Sequence, residues 1–223
     1  MKNIFLKYLV NKYQVISFDV FDTLIERKVR LPSDIFRITG EQVLGTNSAE
    51  SFTKDRINAE SLARKLSDNG EVNLNDIYSL LQEEYREKAR ILKDTEIKNE
   101  IELCIPKEKI IQYFNYAISG NKEVYIISDM YLSTDIIEAM LEKCDVSGYK
   151  RIYVSNEFGV NKITGKLFDY VINENKVNSK EMLHIGDSIK ADYLGARKAG
   201  IHGALIGRKH RISRLIKNAK KST

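Results

Sequence analysis

Residues 15–28, "VISFDVFDTLIERK", decide the fold. A strand-like run rich in β-branched residues closes on Asp19, and Asp22 and Thr23 follow within four residues. A carboxylate is badly placed inside a core. It is well placed at a strand end, because open parallel sheets bind their ligands outside the carboxyl ends of the strands. Four later runs share this character: "EVYIIS" (123–128), "RIYVS" (151–155), "MLHIG" (182–186) and "GALIG" (203–207). Between them lie segments of helical period, roughly 107–119, 133–143, 165–175 and 189–199. Strands alternating with helices predict an α/β protein with a doubly wound parallel sheet covered on both faces.

Residues 25–106 read differently. "SFTKDRINAESLARKLSDNG" and "NLNDIYSLLQEEYREKARILKDTEIKNEIELC" have helical period, with Leu74, Ile77, Leu80, Leu81 and Tyr85 on one stripe. Asn73 or Asn75 is placed to cap the second segment. No alternating strand pattern is evident. The expected organisation is therefore a discontinuous α/β core, 1–24 and 107–223, with a helical insert at 25–106. The two prolines, Pro32 and Pro106, fall near the ends of that insert.

Of the 223 residues, 43% are apolar and 30% charged, the balance of an ordinary soluble globular protein. No apolar run approaches the roughly 18 residues of a membrane span. In the opening "MKNIFLKYLVNKYQ", Lys7, Asn11 and Lys12 break the apolar run and no small-residue cleavage site follows, so an amphipathic helix leading into the first strand is expected. Cys104 and Cys144 have no metal-ligand or redox spacing, which predicts a reducing compartment, the cytoplasm. The net charge of +5 resides in 208–223, "RKHRISRLIKNAKKST", with seven Lys/Arg and no acid; the remainder carries 29 basic against 31 acidic residues. Ile212, Leu215 and Ile216 give the tail a helical spacing, read as a solvated terminal helix, with contact to a partner or an anionic surface as the second reading. It lacks the interleaved aromatics of a single-strand binder, so no nucleic-acid partner is expected.

The strand ends collect one chemistry. Asp19 follows the first run, Ser128 closes the second and Asp129 comes next, Lys162 and Lys166 follow the third, and Asp187 and Asp192 follow the fourth. A carboxylate nucleophile, a hydroxyl, an ammonium and further carboxylates on one sheet edge suit phosphoryl transfer through an aspartyl intermediate. Hard oxygen ligands from Asp19 and Asp187, with Asp192 in support, suit a divalent cation such as Mg²⁺. Ser128 would donate to phosphoryl oxygens and a lysine would neutralise shared charge.

In order and spacing these four segments resemble the four motifs of the haloacid dehalogenase superfamily. "ISFDVFDTLI" resembles its Asp-x-x-x-Thr motif, "VYIISD" the second, "NKITGKLF" the third and "HIGDSIKAD" the Gly-Asp-x-x-x-x-Asp fourth. The resemblance implies a Rossmann-like core of about 140 residues with a helical cap where the insert falls. It implies Asp19 as nucleophile, Ser128, Asp129 and Lys162 at the phosphate, and Asp19, the Phe21 backbone carbonyl, Asp187 and Asp192 at Mg²⁺. Aligning the Phe after the lysine selects Lys162, with Ile163 and Gly165 in place of the usual prolines. The fuller pattern also resembles bacterial members associated with glycosyltransferases and surface-polysaccharide synthesis, so the implied substrate is a small phosphorylated metabolite, sugars included.

One departure carries chemistry. The superfamily's phosphatases place a general acid–base aspartate two residues after the nucleophile; here that position is Phe21, and Asp22 is one residue out of register. General acid–base assistance is typically worth about 10²–10⁴ in rate. Three readings follow: a Mg²⁺-dependent phosphatase or phosphotransferase in which Asp22, a cap residue or the substrate handles the proton; a degenerate domain that binds metal, ligand or a partner protein without turnover; and a carbon–halogen hydrolase, which also has an aromatic residue at this position. Asp22 reads equally well as the αL residue of the turn, with Thr23 supporting that turn. Asp129 reads as a cap for the following helix, Lys166 as a surface lysine and His184 as a satisfied core histidine.

Overall fold

In the computed structural model, which describes residues 2–207, β1 (Val15–Phe18) lies at the centre of a five-stranded parallel sheet. β4 (Glu123–Ser128) and β6 (Met182–Gly186) pair with it on either side, and β5 (Arg151–Val154) and β7 (His202–Leu205) lie outermost. Phe18 stands level with Ile126 on one neighbour and Ile185 on the other, so the residues after all three strands emerge side by side. Because β4 and β6 flank β1 on opposite sides, the connections diverge at Asp19. That is the switch point where such sheets bind ligands.

Side chains alternate across the sheet with the two-residue period of a strand. Ile16, Phe18 and Ile126 pack into one core with Phe114 of α7 (Glu108–Ser119) and Ile137 and Leu141 of α8 (Thr134–Lys143). Val15, Tyr125, Ile127 and Tyr153 face the opposite side, against Leu167, Phe168 and Val171 of α10 (Lys166–Asn175). The sheet is buried on both faces, as the runs of apolar residues require. α1 (Lys2–Lys12) leads into β1, and the single-turn helix α9 (Ser155–Phe158) leaves β5.

The chain between β1 and β4 departs through a ribbon absent from the sequence reading. β2 (Ile25–Arg27) and β3 (Cys104–Pro106) pair antiparallel, Arg27 opposite Cys104, where the chain leaves for the helical insert and returns. Each strand has three residues, too few to show alternation. Between them come α2 (Asp34–Leu44), α3 (Thr46–Leu66), α4 (Leu74–Ser79), α5 (Gln82–Tyr85) and α6 (Lys88–Glu102). Asn73 caps α4 in a reciprocal capping box with Asp76. The long helix expected over 74–103 is broken: Arg86 takes φ +49°, and Leu80 lies on the exposed side of the break.

The helix expected over 189–199 is a π-helical segment, Ile189–Gly195, followed by the short α11 (Ala196–Lys198). Both Asp192 and Tyr193 donate their backbone N–H to the Ser188 carbonyl, the signature of the inserted residue. Such π segments occur frequently at functional sites. The basic segment 208–223 lies outside the described residues.

Candidate active site

The turn after β1 is tied by one acceptor. The Val20 carbonyl takes the N–H groups of Thr23, Leu24 and Ile25, which drives Asp22 to φ +57°. Asp22 is exposed there, and its carbonyl accepts from Lys107 Nζ. Its side chain is not among the gathered carboxylates and adds to the field around Arg27. The Arg27 guanidinium lies 4.4 Å over the Phe21 ring and is gripped by Glu100 through bonds of 2.7 and 3.0 Å. Thr23 does not brace the turn: its buried hydroxyl has no hydrogen-bond partner, although it lies close enough to Asp19 to favour the ionised carboxyl.

Asp19, fixed by its N–H to the Ile185 carbonyl at 3.0 Å, meets Lys162. The Lys162 ammonium donates to Asp19 Oδ1 and to Asp192 Oδ1, each at 2.6 Å. Lysine 162 is only 2% exposed, so a single cation is shared by two carboxylates in a desolvated setting. Burial raises the Asp19 carboxyl to about 7, with the neighbouring Asp192 charge adding to the rise against the pull of Lys162. Asp192 is held far below the usual carboxylate range by Lys162 and His184, which outweigh its burial, and Lys162 is held charged by Asp19 and Asp192. Lys166, on the next turn, is exposed.

Asp187 follows β6 directly, and ligand oxygens of Asp19, Asp187 and Asp192 all lie within 4.8 Å of one another. Three buried carboxylates around one point form a donor set for a hard divalent cation. Two glycines make the approach possible. A Cβ on Gly186 would stand 2.2 Å from Asp192 Cγ, and one on Gly195 would stand 1.9 Å from the Lys162 carbonyl oxygen. The π segment is thereby pressed against both β6 and the lysine loop.

Ser128, at the end of β4, is 1% exposed and its hydroxyl has no partner. A buried, unbonded hydroxyl at a strand end next to this cluster fits an absent ligand oxygen, since such groups are rarely left unsatisfied. Asp129 does not cap α8. Its two oxygens accept the Lys162 N–H at 2.9 and 3.1 Å, setting the lysine loop, while Glu157 takes the Thr134 N–H at the start of α8. Behind the carboxylates, His184 is fully buried, 3.2 Å from Asp192 Oδ1 and 2.8 Å from Ser17 Oγ. Its own satisfaction was legible from the strand pattern; its contact with Asp192 was not, because the π segment brings them together.

The structure therefore gathers Asp19, Lys162, Asp187 and Asp192, with Ser128 and Asp129 at the adjacent strand end. Asp22 stays on the outer side of its turn. Solved structures share this fold. A phosphatase from Thermococcus onnurineus superposes with a TM-score of 0.64 at 16% identity, over 88% of this chain and 87% of its own. A magnesium-bound hydrolase of Bacillus subtilis, YfnB, gives 0.61 at 19% identity, over 90% and 92%. The L-2-haloacid dehalogenase of Xanthobacter autotrophicus gives 0.62 at 14%, over 95% and 84%. At these identities the likeness is one of fold. No curated protein matches the sequence. The family described as haloacid dehalogenase-like hydrolase matches residues 38–206, more than half of the chain, starting after the Asp19 motif. On that match, and with the same fold in its structural neighbours, the chain belongs to the haloacid dehalogenase-like hydrolases.

Proposed function

We propose that this hydrolase is a metal-assisted phosphatase or phosphotransferase acting through an aspartyl phosphate at Asp19. The observation that carries this reading is the convergence of Asp19, Asp187 and Asp192 within 4.8 Å around the site reached by Lys162. Asp19 and Asp187 would hold Mg²⁺, with Asp192 and the Phe21 backbone carbonyl in support. The ion would supply charge neutralisation between an anionic nucleophile and an anionic phosphate. An Asp19 oxygen attacks phosphorus, the bond to the leaving oxygen breaks, and water then cleaves the acyl phosphate to restore Asp19. The unpartnered Ser128 hydroxyl and the Lys162 ammonium hold phosphoryl oxygens.

Phe21 bears on the substrate. Its half-buried ring, under Arg27, occupies the position two residues after Asp19 where a proton donor would stand, and Asp22 is exposed at φ +57°. A poor alkoxide leaving group would therefore go unassisted. Leaving groups that depart without a proton, such as acyl or aryl phosphates, suit this site better. A halide would also leave without a proton, but displacing it gains nothing from three gathered carboxylates. The helical insert acts as the substrate-selecting cap, and the ligand is a small phosphorylated metabolite, sugars included, in the cytoplasm. Among the described residues no helix is long and apolar enough to cross a membrane.

The test is hydrolysis of an aryl phosphate and a panel of acyl and sugar phosphates, with Mg²⁺ and with chelator, beside Asp19→Asn. Metal-dependent turnover lost in Asp19→Asn is expected. Activity indifferent to chelation or surviving the substitution would overturn the reading, and metal binding without turnover would leave a binding domain in its place.

A further inference from the structure

We infer that His184 is a positioning residue for the metal-site carboxylate Asp192, acting as the Nε2–H tautomer that the carboxylate selects, with its ring seated by the Ser17 hydroxyl. The inference rests on the metal-assisted reading above. Parallel pairing sets Ser17 of β1 level with His184 of β6, which places the hydroxyl 2.8 Å from Nδ1. On the other side of the ring, Nε2 lies 3.2 Å from Asp192 Oδ1. The Phe168 ring meets the imidazole edge-on at a centroid distance of 4.7 Å and blocks its rotation.

Donor and acceptor chemistry fixes the protons. An ionised carboxylate only accepts, so the hydrogen between the ring and Asp192 must be on Nε2. Nδ1 then accepts from Ser17. The alternative acceptor for that hydroxyl, the Leu183 carbonyl, is 3.5 Å away, long for an O–H···O bond. Serine, histidine and aspartate are thus joined in the composition of a hydrolase triad without its access. Ser17 and His184 are fully buried and Asp192 is 1% exposed, so Ser17 cannot reach a substrate.

The chain acts on Asp192 instead. Oδ1 takes both the His184 N–H and the Lys162 ammonium, and Oδ2 takes the Ser188 backbone N–H at 2.7 Å. Of these donors Lys162 also serves Asp19, and it would be recruited to a phosphate. When substrate draws on the lysine, the Ser188 N–H stays on Oδ2 and His184 is the side-chain donor that stays on Oδ1. With Gly186 pressed beneath the carboxylate, it holds the plane of Asp192 fixed relative to Asp19 and Asp187. Partners that orient metal-site groups in this way typically cost about 10–100-fold in metal affinity when removed.

The experiment measures Mg²⁺ binding by calorimetry on the full chain, together with long-range ¹H–¹⁵N spectra of the protein labelled at its three histidines. The wild type should show His184 as the Nε2–H tautomer. His184→Met should bind Mg²⁺ about 10–100-fold more weakly, and His184→Gln, which restores an N–H donor, should recover most of the loss. If His184→Met fails to fold, Ser17→Ala carries the test: it removes the hydrogen bond to Nδ1 that seats the ring, and should weaken Mg²⁺ binding while the Nε2–H tautomer persists. An Nδ1–H tautomer in the wild type, or wild-type affinity in His184→Met, would overturn the inference; so would wild-type affinity in Ser17→Ala. A wild type that binds no Mg²⁺ overturns the metal-assisted reading itself, a distinct result, and the inference falls with it.

Discussion

Asp19 and Asp192 share one lysine and titrate in opposite directions. Asp192 keeps its charge, and Asp19, desolvated and facing that charge, is raised to about 7. In the metal-free protein near neutrality Asp19 is therefore partly protonated. A bound cation requires the ionised carboxylate, so binding must expel the proton. Mg²⁺ affinity should rise with pH through about 7 and level off above it. Calorimetry near pH 7 in buffers of different ionisation enthalpy should show net proton release on binding; none would mean that Asp19 is already ionised. Gly186 supports a sharper prediction. Any Cβ there meets the Asp192 carboxylate at 2.2–2.5 Å, so Gly186→Ala must displace Asp192 or the strand end. We expect loss of metal binding with far-UV circular dichroism unchanged. Both effects belong to residues the sequence shows openly. Asp19, Ser128, Lys162, Asp187 and Asp192 were legible because each follows or ends an apolar run. Ser17 and His184 were visible only as core positions, because their link to Asp192 depends on strand register and on a π turn that hydrophobic period does not signal.

At the scale of elements, legibility tracks the apolarity of the buried face. All five sheet strands and the helices covering them follow the apolar pattern. α6 does not. Its buried face is Ala89, Leu92, Glu96, Asn99 and Glu100, polar over its last two turns. The missing hydrophobic signal is replaced by partners far away in sequence. Arg56 of α3 grips Glu96 at 2.7 and 2.8 Å, and Tyr78 of α4 donates to the same carboxylate at 2.7 Å. Both ends of the ion pair are fully buried. The Arg56 guanidinium also lies 4.3 Å over the Phe36 ring and 4.8 Å over the Tyr131 ring, joining α2, α3, α4 and the loop after β4 at one cation. Removing Glu96 leaves Arg56 only the partly exposed Glu60, 3.2 Å from Nη1, and breaking a buried pair typically costs about 3–5 kcal/mol. Glu96→Leu should therefore destabilise the protein by roughly that amount in urea unfolding. The double variant Arg56→Met/Glu96→Leu should recover much of the loss. A single variant as stable as wild type would show that the network carries no such charge penalty. The same logic explains the break at Arg86, which frees α6 from the apolar stripe of α4 and lets it present its acids inward. No period in the sequence records that exchange.

At the scale of the whole molecule, the site is closed. Asp19 and Asp187 are 7% and 8% exposed, and Lys162, Ser128 and Asp192 less, so little of Asp19 is open to a ligand. Surface grooves beside Arg151 and beside Arg197 include none of these residues. Access to Asp19 is expected to involve movement of the insert, which meets the sheet edge at Tyr131, stacked with Arg56 of α3, and at the lysine loop. The loop between α3 and α4 reaches the lysine loop, where Asn161 Nδ2 donates to Glu71 Oε1 at 3.1 Å. A Cβ on Gly159 would meet the Asn69 amide at 2.7 Å, so the two loops also touch at that glycine. The loop contact is one partly buried neutral-to-charged bond and a small touching surface, beside the Arg56–Tyr131 stack and the ribbon of β2 and β3. Such a bond contributes on the order of 1.5–3 kcal/mol. Asn161→Ala should shift the opening equilibrium by about 10- to 150-fold at most. The readout is hydrogen exchange at 67–72, which should accelerate while the strands β1, β4 and β6 keep their protection. Asn161 also accepts the Thr164 N–H at 3.1 Å, so part of any effect could come from a loosened lysine loop. Glu71→Gln separates the two, since it weakens the bridge and leaves that turn intact. If closure depends on the bridge, Glu71→Gln should also speed exchange at 67–72, by less than Asn161→Ala; exchange unchanged in both variants would show that the insert is held shut elsewhere, at the Arg56 network or the ribbon.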